Sequence, residues 1–318
     1  MNTPVTASPE VTLDRAASIL RQGGIVAMPT ETVYGLAADA ANDDAVLRLY
    51  ETKGRPRFNP LIAHCADLEM AQGIAEFPPL ALKLAEAFWP GPLTLVLPRR
   101  ADAALSDLVT AGLPTIGLRV PDHPVAQELI ARVGMPLAAP SANPSGRLSP
   151  TTADAVIEGF DGQVPVLDGG PCHSGVESTI IAVDGDMLVQ LRPGAIAREE
   201  IAKVTGFAPR DADPEGGIRS PGMLASHYAP RASMRLNAEN VGPGEVLLAF
   251  GAEAPAHDGP ILNLSQTGDL AEAARNLFAH LRALDASGAD KIAVMPIPDR
   301  GLGEAINDRL RRAAAPRG

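Results

Sequence analysis

Cysteine is scarce in this chain, and that alone removes several possibilities. Only Cys65 and Cys172 occur among 318 residues, far apart and outside any C-x-x-C pair. No disulfide framework follows from such usage, and the chain reads as reduced and intracellular. Aromatics are equally thin, at 3% with three Tyr and one Trp. So few rings offer little platform for stacking bases, and a formal net charge of −11 argues against a polyanion-binding surface. No apolar run approaches the roughly 20 residues of a membrane span. The N-terminus lacks a basic patch followed by an apolar core, so no signal peptide is expected. A soluble cytoplasmic protein, with neither membrane nor strong direct nucleic-acid binding, is the expectation.

Familiar motifs are missing too. No glycine precedes any of the four lysines, which excludes a Walker phosphate loop. There is no G-x-S-x-G elbow. "GLGEAI" has Ile306 where a dinucleotide fingerprint needs its third glycine, so a tight strand-to-helix turn is expected there. The pairs "HC" at 64–65 and "CH" at 172–173 suggest zinc, but neighbours on an extended segment face opposite ways. Each pair could offer one ligand, and no metal site is expected.

What is present is ample material for a core. Hydrophobic residues make up 46%, interleaved with 30 Gly and 30 Pro, enough for two domains or one large one. "GGIVAMP" reads as a strand and "DDAVLRLYETK" as a helix opened by Asn42 or Asp43. "PPLALKLAEAF" starts a helix on proline, "GPLTLVLP" is extended, and "TIGLRV" leads into the helix "PVAQELIARVG" and the strand "MPLAAP". "SPTTADAVIEGF" carries a threonine cap, "QVPVLDGG" reads as a strand, and "STIIAVDGDMLVQLRPG" reads as a hairpin turning at "DGD". The pattern is α/β with some antiparallel pairing, hence a mixed sheet. Periodicity lapses from about Pro209 to Pro230. Beyond it come "GEVLLAF", "DLAEAARNLFAHLRALDASG", "DKIAVMPIP" and "EAINDRLRRAAA", a strand–helix–strand–helix order that suggests a small Rossmann-like domain. The expected division is 1–208, a linker over 209–232, and 233–318.

Polar residues gather where strands end. "PTETVYGL" follows "GGIVAM", and threonine hydroxyls there can cap their own turn or meet a ligand. "KGRPRFNPL" sets Lys53 and Arg55 two apart, so an extended loop presents both to one side. "APSANPSG" does the same with Ser141 and Asn143. Arg119 ends "TIGLRVP", Arg192 ends "MLVQLRPG", and Ser178 opens "STII". Cations beside hydroxyls at strand ends suit an anionic ligand such as a nucleoside triphosphate.

In this order "PTETVYGL", "KGRPRFNPL", "WPGPLT", "LRVPDHP", "PSANPSGRLSPT", "GVESTI" and "LRPG" resemble the threonylcarbamoyl-AMP synthase family. "SPGMLASHYAP" is similar to the linker of its long form. The resemblance implies a YrdC-like twisted mixed sheet with helices, plus a smaller Rossmann-like α/β C-terminal domain. It implies a nucleotidyltransferase that converts L-threonine, bicarbonate or CO2, and ATP into L-threonylcarbamoyladenylate and pyrophosphate. The product would pass to a tRNA threonylcarbamoyl-transfer system acting on ANN-decoding tRNAs. By the same resemblance Thr32, His64, Arg119 and Ser178 hold threonine, with Thr115 and Ala139 near the pocket wall. Lys53, Arg55, Asn59, Ser141, Asn143, Ser149 and Arg192 surround ATP, with Lys53 and Arg55 acting on the leaving pyrophosphate. Tyr228 would close the nucleotide end as part of a lid; docking the second domain is its plainer role. The linker departs locally, with Ala225 before Ser226 where an aromatic or basic residue is expected. Mg2+ is expected to arrive with ATP. An RNA-binding module without synthase activity, and a carbamoyltransferase for another acceptor, are the rival readings.

Overall fold

The computed structural model describes residues 9–213, 217, 220–221 and 227–316. The linker segment 222–226, including Ala225 and Ser226, lies outside the described residues, as do 214–216 and 218–219. Two sheets organise the rest. The first contains β1 (Val26–Met28), β2 (Gly35–Asp39), β3 (Ile62–His64), β4 (Leu93–Pro98), β5 (Thr115–Arg119), β6 (Leu137–Ala138), β7 (Thr179–Asp184), β8 (Met187–Arg192) and β9 (Arg210–Asp211). Their spatial order is β1-β2-β6-β3-β5-β4-β7-β8-β9. The pairs β3–β5, β4–β7 and β8–β9 are parallel and the other pairings antiparallel, so the sheet is mixed.

Helices α1 (Leu13–Arg21), α2 (Asp43–Lys53), α3 (Leu68–Gln72), α4 (Pro79–Phe88), α5 (Asp107–Thr110), α6 (Pro124–Val133), α7 (Ala153–Gly159) and α8 (Arg198–Thr205) accompany this sheet. Local chemistry sets their ends. The Asn42 side chain accepts from Ala45 N at 3.1 Å to open α2, and Gly54, at φ +58°, closes it in the left-handed region. Pro124 starts α6, where a missing N–H costs nothing. Thr152 caps α7 as its sequence suggests. The hairpin β7–β8 pairs Asp184 with Met187 across the expected Gly185 turn.

The second sheet is parallel throughout: β10 (Ser233–Arg235), β11 (Glu245–Ala249), β12 (Ile261–Asn263) and β13 (Lys291–Val294), in the order β10-β13-β11-β12. Helices α9 (Leu270–Ala286) and α10 (Leu302–Ala314) complete this Rossmann-like unit. "GLGEAI" is not a tight strand-to-helix turn: it opens α10, with Gly301 as N-cap at φ +54° and the other five residues helical, and residues 295–301 separate that helix from β13. No helix among the described residues is long and apolar enough to cross a membrane.

Two further expectations need correction. "QVPVLDGG" is not a strand. Only Val166 makes isolated bridges, to Glu10 and Ala27, because Pro165 before it has no N–H to extend a ladder. The first sheet also reaches past residue 208: β9 pairs with β8 inside the expected 209–232 linker. A two-residue edge strand carries no periodicity to read.

The second core also reaches into the first unit. Val33, Leu148 and Val176 bury against the cluster formed by Tyr228, Ala273, Ala274, Leu277 and Phe278. Gly175 makes the approach possible, since a Cβ there would fall 2.2 Å from the Arg275 Cα of α9.

Candidate active site

The ends of six strands converge on one cleft of about 50 Å3. Thr30, Thr32 and Val33 follow β1. Ile62 and His64 lie on one face of β3, two residues apart as strand alternation requires. Arg119 ends β5, in parallel register with His64. Ala139, Pro140 and Ser141 follow β6, Glu177 and Ser178 precede β7, and Arg192 ends β8. Arg55 arrives from the loop after α2, and Pro221, His227 and Tyr228 close the rim. Gly194 permits the crossing beneath, because a Cβ there would sit 2.3 Å from Thr179 N.

The opening loop divides its two threonines between two tasks. Thr30 Oγ1 donates to Val33 O at 2.6 Å and accepts from Thr32 N and Val33 N, so it caps its own turn. Thr32 is fully buried and lines the cleft. Tyr34 anchors the loop, its hydroxyl lying 2.8 Å from Asp168 Oδ1 and 2.8 Å from Gly170 O.

Charge at the cleft floor is uneven. Arg119 Nη2 sits 2.6 Å from Glu31 Oε1, both side chains nearly fully buried. Burial pushes the Glu31 carboxyl up, but the Arg119 charge and hydrogen bond, with backbone hydrogen bonds from Asp122 and Glu31, together hold the group below its ordinary value. Arg119 Nε donates to Gly91 O at 3.3 Å. His64 is buried, and desolvation with the Arg119 charge beside it pushes its imidazole down to about 3. It is therefore neutral at pH 7, and its Nδ1 has no hydrogen-bond partner among the described residues.

Toward the other end, three buried cations gather without counter-ions. Arg55 donates to Asn59 O at 3.2 Å and to Pro60 O at 2.8 Å. Arg192 donates to Ser178 O at 3.0 Å and to Ser178 Oγ at 3.1 Å. Lys53 Nζ donates to Ser141 O at 2.6 Å and to Asn143 O. Desolvation lowers all three, taking Arg55 to about 10 and Lys53 well below its usual value, with Arg55 adding to the Lys53 shift. Among the described residues none of the three makes an ion pair. Buried cations held by carbonyls and one hydroxyl form a preorganised seat for an anion.

The residues expected from the sequence divide in two. Thr32, Arg55, His64, Arg119, Ala139, Ser141, Ser178, Arg192 and Tyr228 line the cleft. Lys53 and Asn143 stand behind the Ser141 loop, the Asn143 amide donating to Pro144 O and Arg147 O. Asn59 is buried beside Arg55, and its carbonyl also accepts from Tyr50. Ser149 donates to Glu177 Oε1 at 2.5 Å instead of facing the cleft. Thr115 opens the strand that Arg119 closes, about 13 Å away at the usual rise per residue. It lines a smaller adjoining cavity with Thr94 and Gly117. Glu31 and Glu177 line or floor the cleft and were not singled out from the sequence, and His227, expected with Tyr228 to dock the second domain, lines the cleft too. Only Glu31 carried a signal, as the one carboxylate in "PTETVYGL".

Tyr228 faces the cleft and docks on the second unit at once. It lines the cleft at 1% exposure, yet its ring packs on Phe278 of α9 at 5.6 Å and on His227 at 4.1 Å. Its φ of +62° is costly for a residue with a bulky side chain.

Comparison with known proteins gives consistent results. Residues 18–194 match the family model described as "Telomere recombination", and residues 196–315 match that of "Threonylcarbamoyl-AMP synthase, C-terminal domain". The threonylcarbamoyl-AMP synthase of Bacillus subtilis is 42% identical over 95% of this chain and 93% of its own length. That of Pyrococcus abyssi is 42% identical over 94% and 93%. The crystal structure of P. abyssi Sua5 complexed with L-threonine superposes with a TM-score of 0.86 at 39% identity, covering 96% of each chain.

Proposed function

The chain belongs to the threonylcarbamoyl-AMP synthase family in its two-domain form, and from that premise we propose how its own residues carry the reaction. The enzyme makes L-threonylcarbamoyladenylate and pyrophosphate from L-threonine, bicarbonate or CO2, and ATP, and is in that sense a nucleotidyltransferase. The observation that carries this reading is the trio of buried cations, Lys53, Arg55 and Arg192, without an ion pair among the described residues, beside the pocket of His64, Arg119, Thr32 and Ser178.

Threonine enters the pocket end. Its carboxylate meets Arg119, whose Nη1 has no protein hydrogen bond among the described residues. The planar guanidinium holds Glu31 on one edge and a ligand carboxylate on another. Neutral His64 places an unpartnered Nδ1 beside that pocket, where it can accept from a substrate hydroxyl or ammonium. The threonine amine and bicarbonate condense to a carbamate with loss of water. A carbamate oxygen then attacks the α-phosphorus of ATP, the bond to the bridging β-oxygen breaks, and pyrophosphate leaves with its added charge. Arg55 and Arg192, with Lys53 behind the Ser141 loop, stabilise that charge, which matters more than any acid or base.

Mg2+ accompanies ATP as part of the substrate. Both carboxylates of the cleft, Glu31 and Glu177, are committed to arginines, so the donors left for the ion are phosphate oxygens and water. The adenylate then passes to a tRNA threonylcarbamoyl-transfer system in the cytoplasm, a setting that suits the two buried free thiols. No observation favours the RNA-binding alternative. The test is pyrophosphate release by the purified chain, without tRNA. Release that depends on threonine and bicarbonate together supports the reading, and release indifferent to threonine overturns it.

A further inference from the structure

The wall between the two units holds a buried charge chain that the reaction itself does not use. Arg309, on α10 of the second unit, has no exposed surface. Its Nε donates to Glu177 Oε2 at 2.8 Å across the domain boundary. Its Nη1 donates to Pro193 O and to Asp308 Oδ2, each at 2.8 Å, and Asp308 accepts in turn from Arg312 Nε at 3.0 Å. The guanidinium carbon lies 5.4 Å from the centre of the Tyr228 ring, within cation–π range.

Glu177 is the partner that matters. It lines the cleft, it is 5% exposed, and its other oxygen is held by Ser149. An uncompensated carboxylate there would face the seat of an anionic substrate and would draw on the other cation whose charge already acts on it. That cation is Arg192, which shares the cleft wall and is otherwise held only by Ser178. Removing one member of a buried pair leaves the other charge stranded, which costs far more than the pair contributes when intact.

We propose that Arg309 is a positioning residue for the anion seat of the first unit. By occupying Glu177 from outside the cleft, it leaves Arg192 directed at the phosphates of ATP. The second domain thus supplies part of the electrostatics of the first domain's cleft, through Glu177, without touching substrate. The inference rests on the reading that Arg192 meets ATP.

The test is a double-substitution cycle on the full chain, reading KM for ATP and for threonine by pyrophosphate release, with thermal unfolding of each variant. Arg309→Met should raise KM for ATP about ten-fold or more and leave KM for threonine within about three-fold. Adding Glu177→Gln to Arg309→Met should bring KM for ATP back to within about three-fold of the starting protein, because the stranded charge is gone. A mere staple between domains would not be repaired by losing its second half. Unchanged KM for ATP in Arg309→Met, or no recovery in the double variant, overturns the proposal. Should Arg309→Met not fold, the double variant decides alone: KM within three-fold supports the inference, and a ten-fold rise refutes it. A starting protein without threonine-dependent release would instead overturn the functional reading, and this inference with it.

Discussion

Lys53→Ala removes an ammonium that tethers the end of α2 to the Ser141–Asn143 loop. Two of its three N–H donors are committed, to Ser141 O at 2.6 Å and to Asn143 O, so its charge acts on the cleft from behind that loop. Truncation strands both carbonyls in the interior, where an unsatisfied acceptor costs about 1–3 kcal/mol. Part of that is offset, because the variant also relieves the burial of an ammonium repelled by Arg55. The net stability loss should therefore be small, about 1–3 kcal/mol. Turnover should suffer more. Losing an oriented cation from a preorganised charge site typically costs about 100-fold or more, and the released loop carries Ser141, which lines the cleft. Lys53→Arg should not restore activity, since a planar fork cannot converge on two carbonyls as a compact ammonium does. Pyrophosphate release at saturating ATP, with thermal unfolding as the folding control, measures both effects. Near-normal turnover in a folded Lys53→Ala protein would refute the assignment.

Serine should be a poor but detectable substrate, about 10- to 200-fold below threonine, because one methyl in a pocket discriminates no further. Valine should be rejected more strongly; equal use of valine and threonine in pyrophosphate release contradicts a pocket that reads the hydroxyl. His64 and His227 are both held neutral, burial pushing each down to about 3. With the folded value depressed, their stabilising contribution is intact above the ordinary histidine value of about 6.5. It is lost as pH falls toward 3, by at most about 1.4 kcal/mol per pH unit for each. Denaturant unfolding from pH 7 to pH 5 should show that slope, and a flat profile means the histidines are solvated. Ending the chain after Arg210 should weaken ATP binding, because Arg309 goes with the second unit, and should impair product formation, and Tyr228→Ala should reproduce part of the loss in product. Full synthase activity in the truncated chain removes Tyr228 and the second unit from the reaction.

The motif segments were legible because their chemistry is local. Asn42, Thr152 and Gly54 announce helix ends through side-chain caps and a left-handed turn, and the apolar runs of β4 and β7 bury on both faces. Strand-end cations could be recognised as a group because glycine and proline bound each one. Elements without local signal stayed hidden. β9 is two residues of an edge, and "QVPVLDGG" alternates like a strand while Pro165 denies it a ladder.

By itself, then, the sequence determined the mixed α/β class, the two units, the family, and which polar residues stand at strand ends. Each of these depends on neighbours within a few positions, or on motifs met in order. Only the tertiary structure decided how those residues share their work. Arg119 meets Glu31, Lys53 stands behind the Ser141 loop, and Thr115 lies at the far end of β5 from Arg119. Glu177 is compensated by an arginine 132 positions later. Buried charge is settled by whichever partner the fold brings within about 3 Å, and no spacing along the chain encodes that distance.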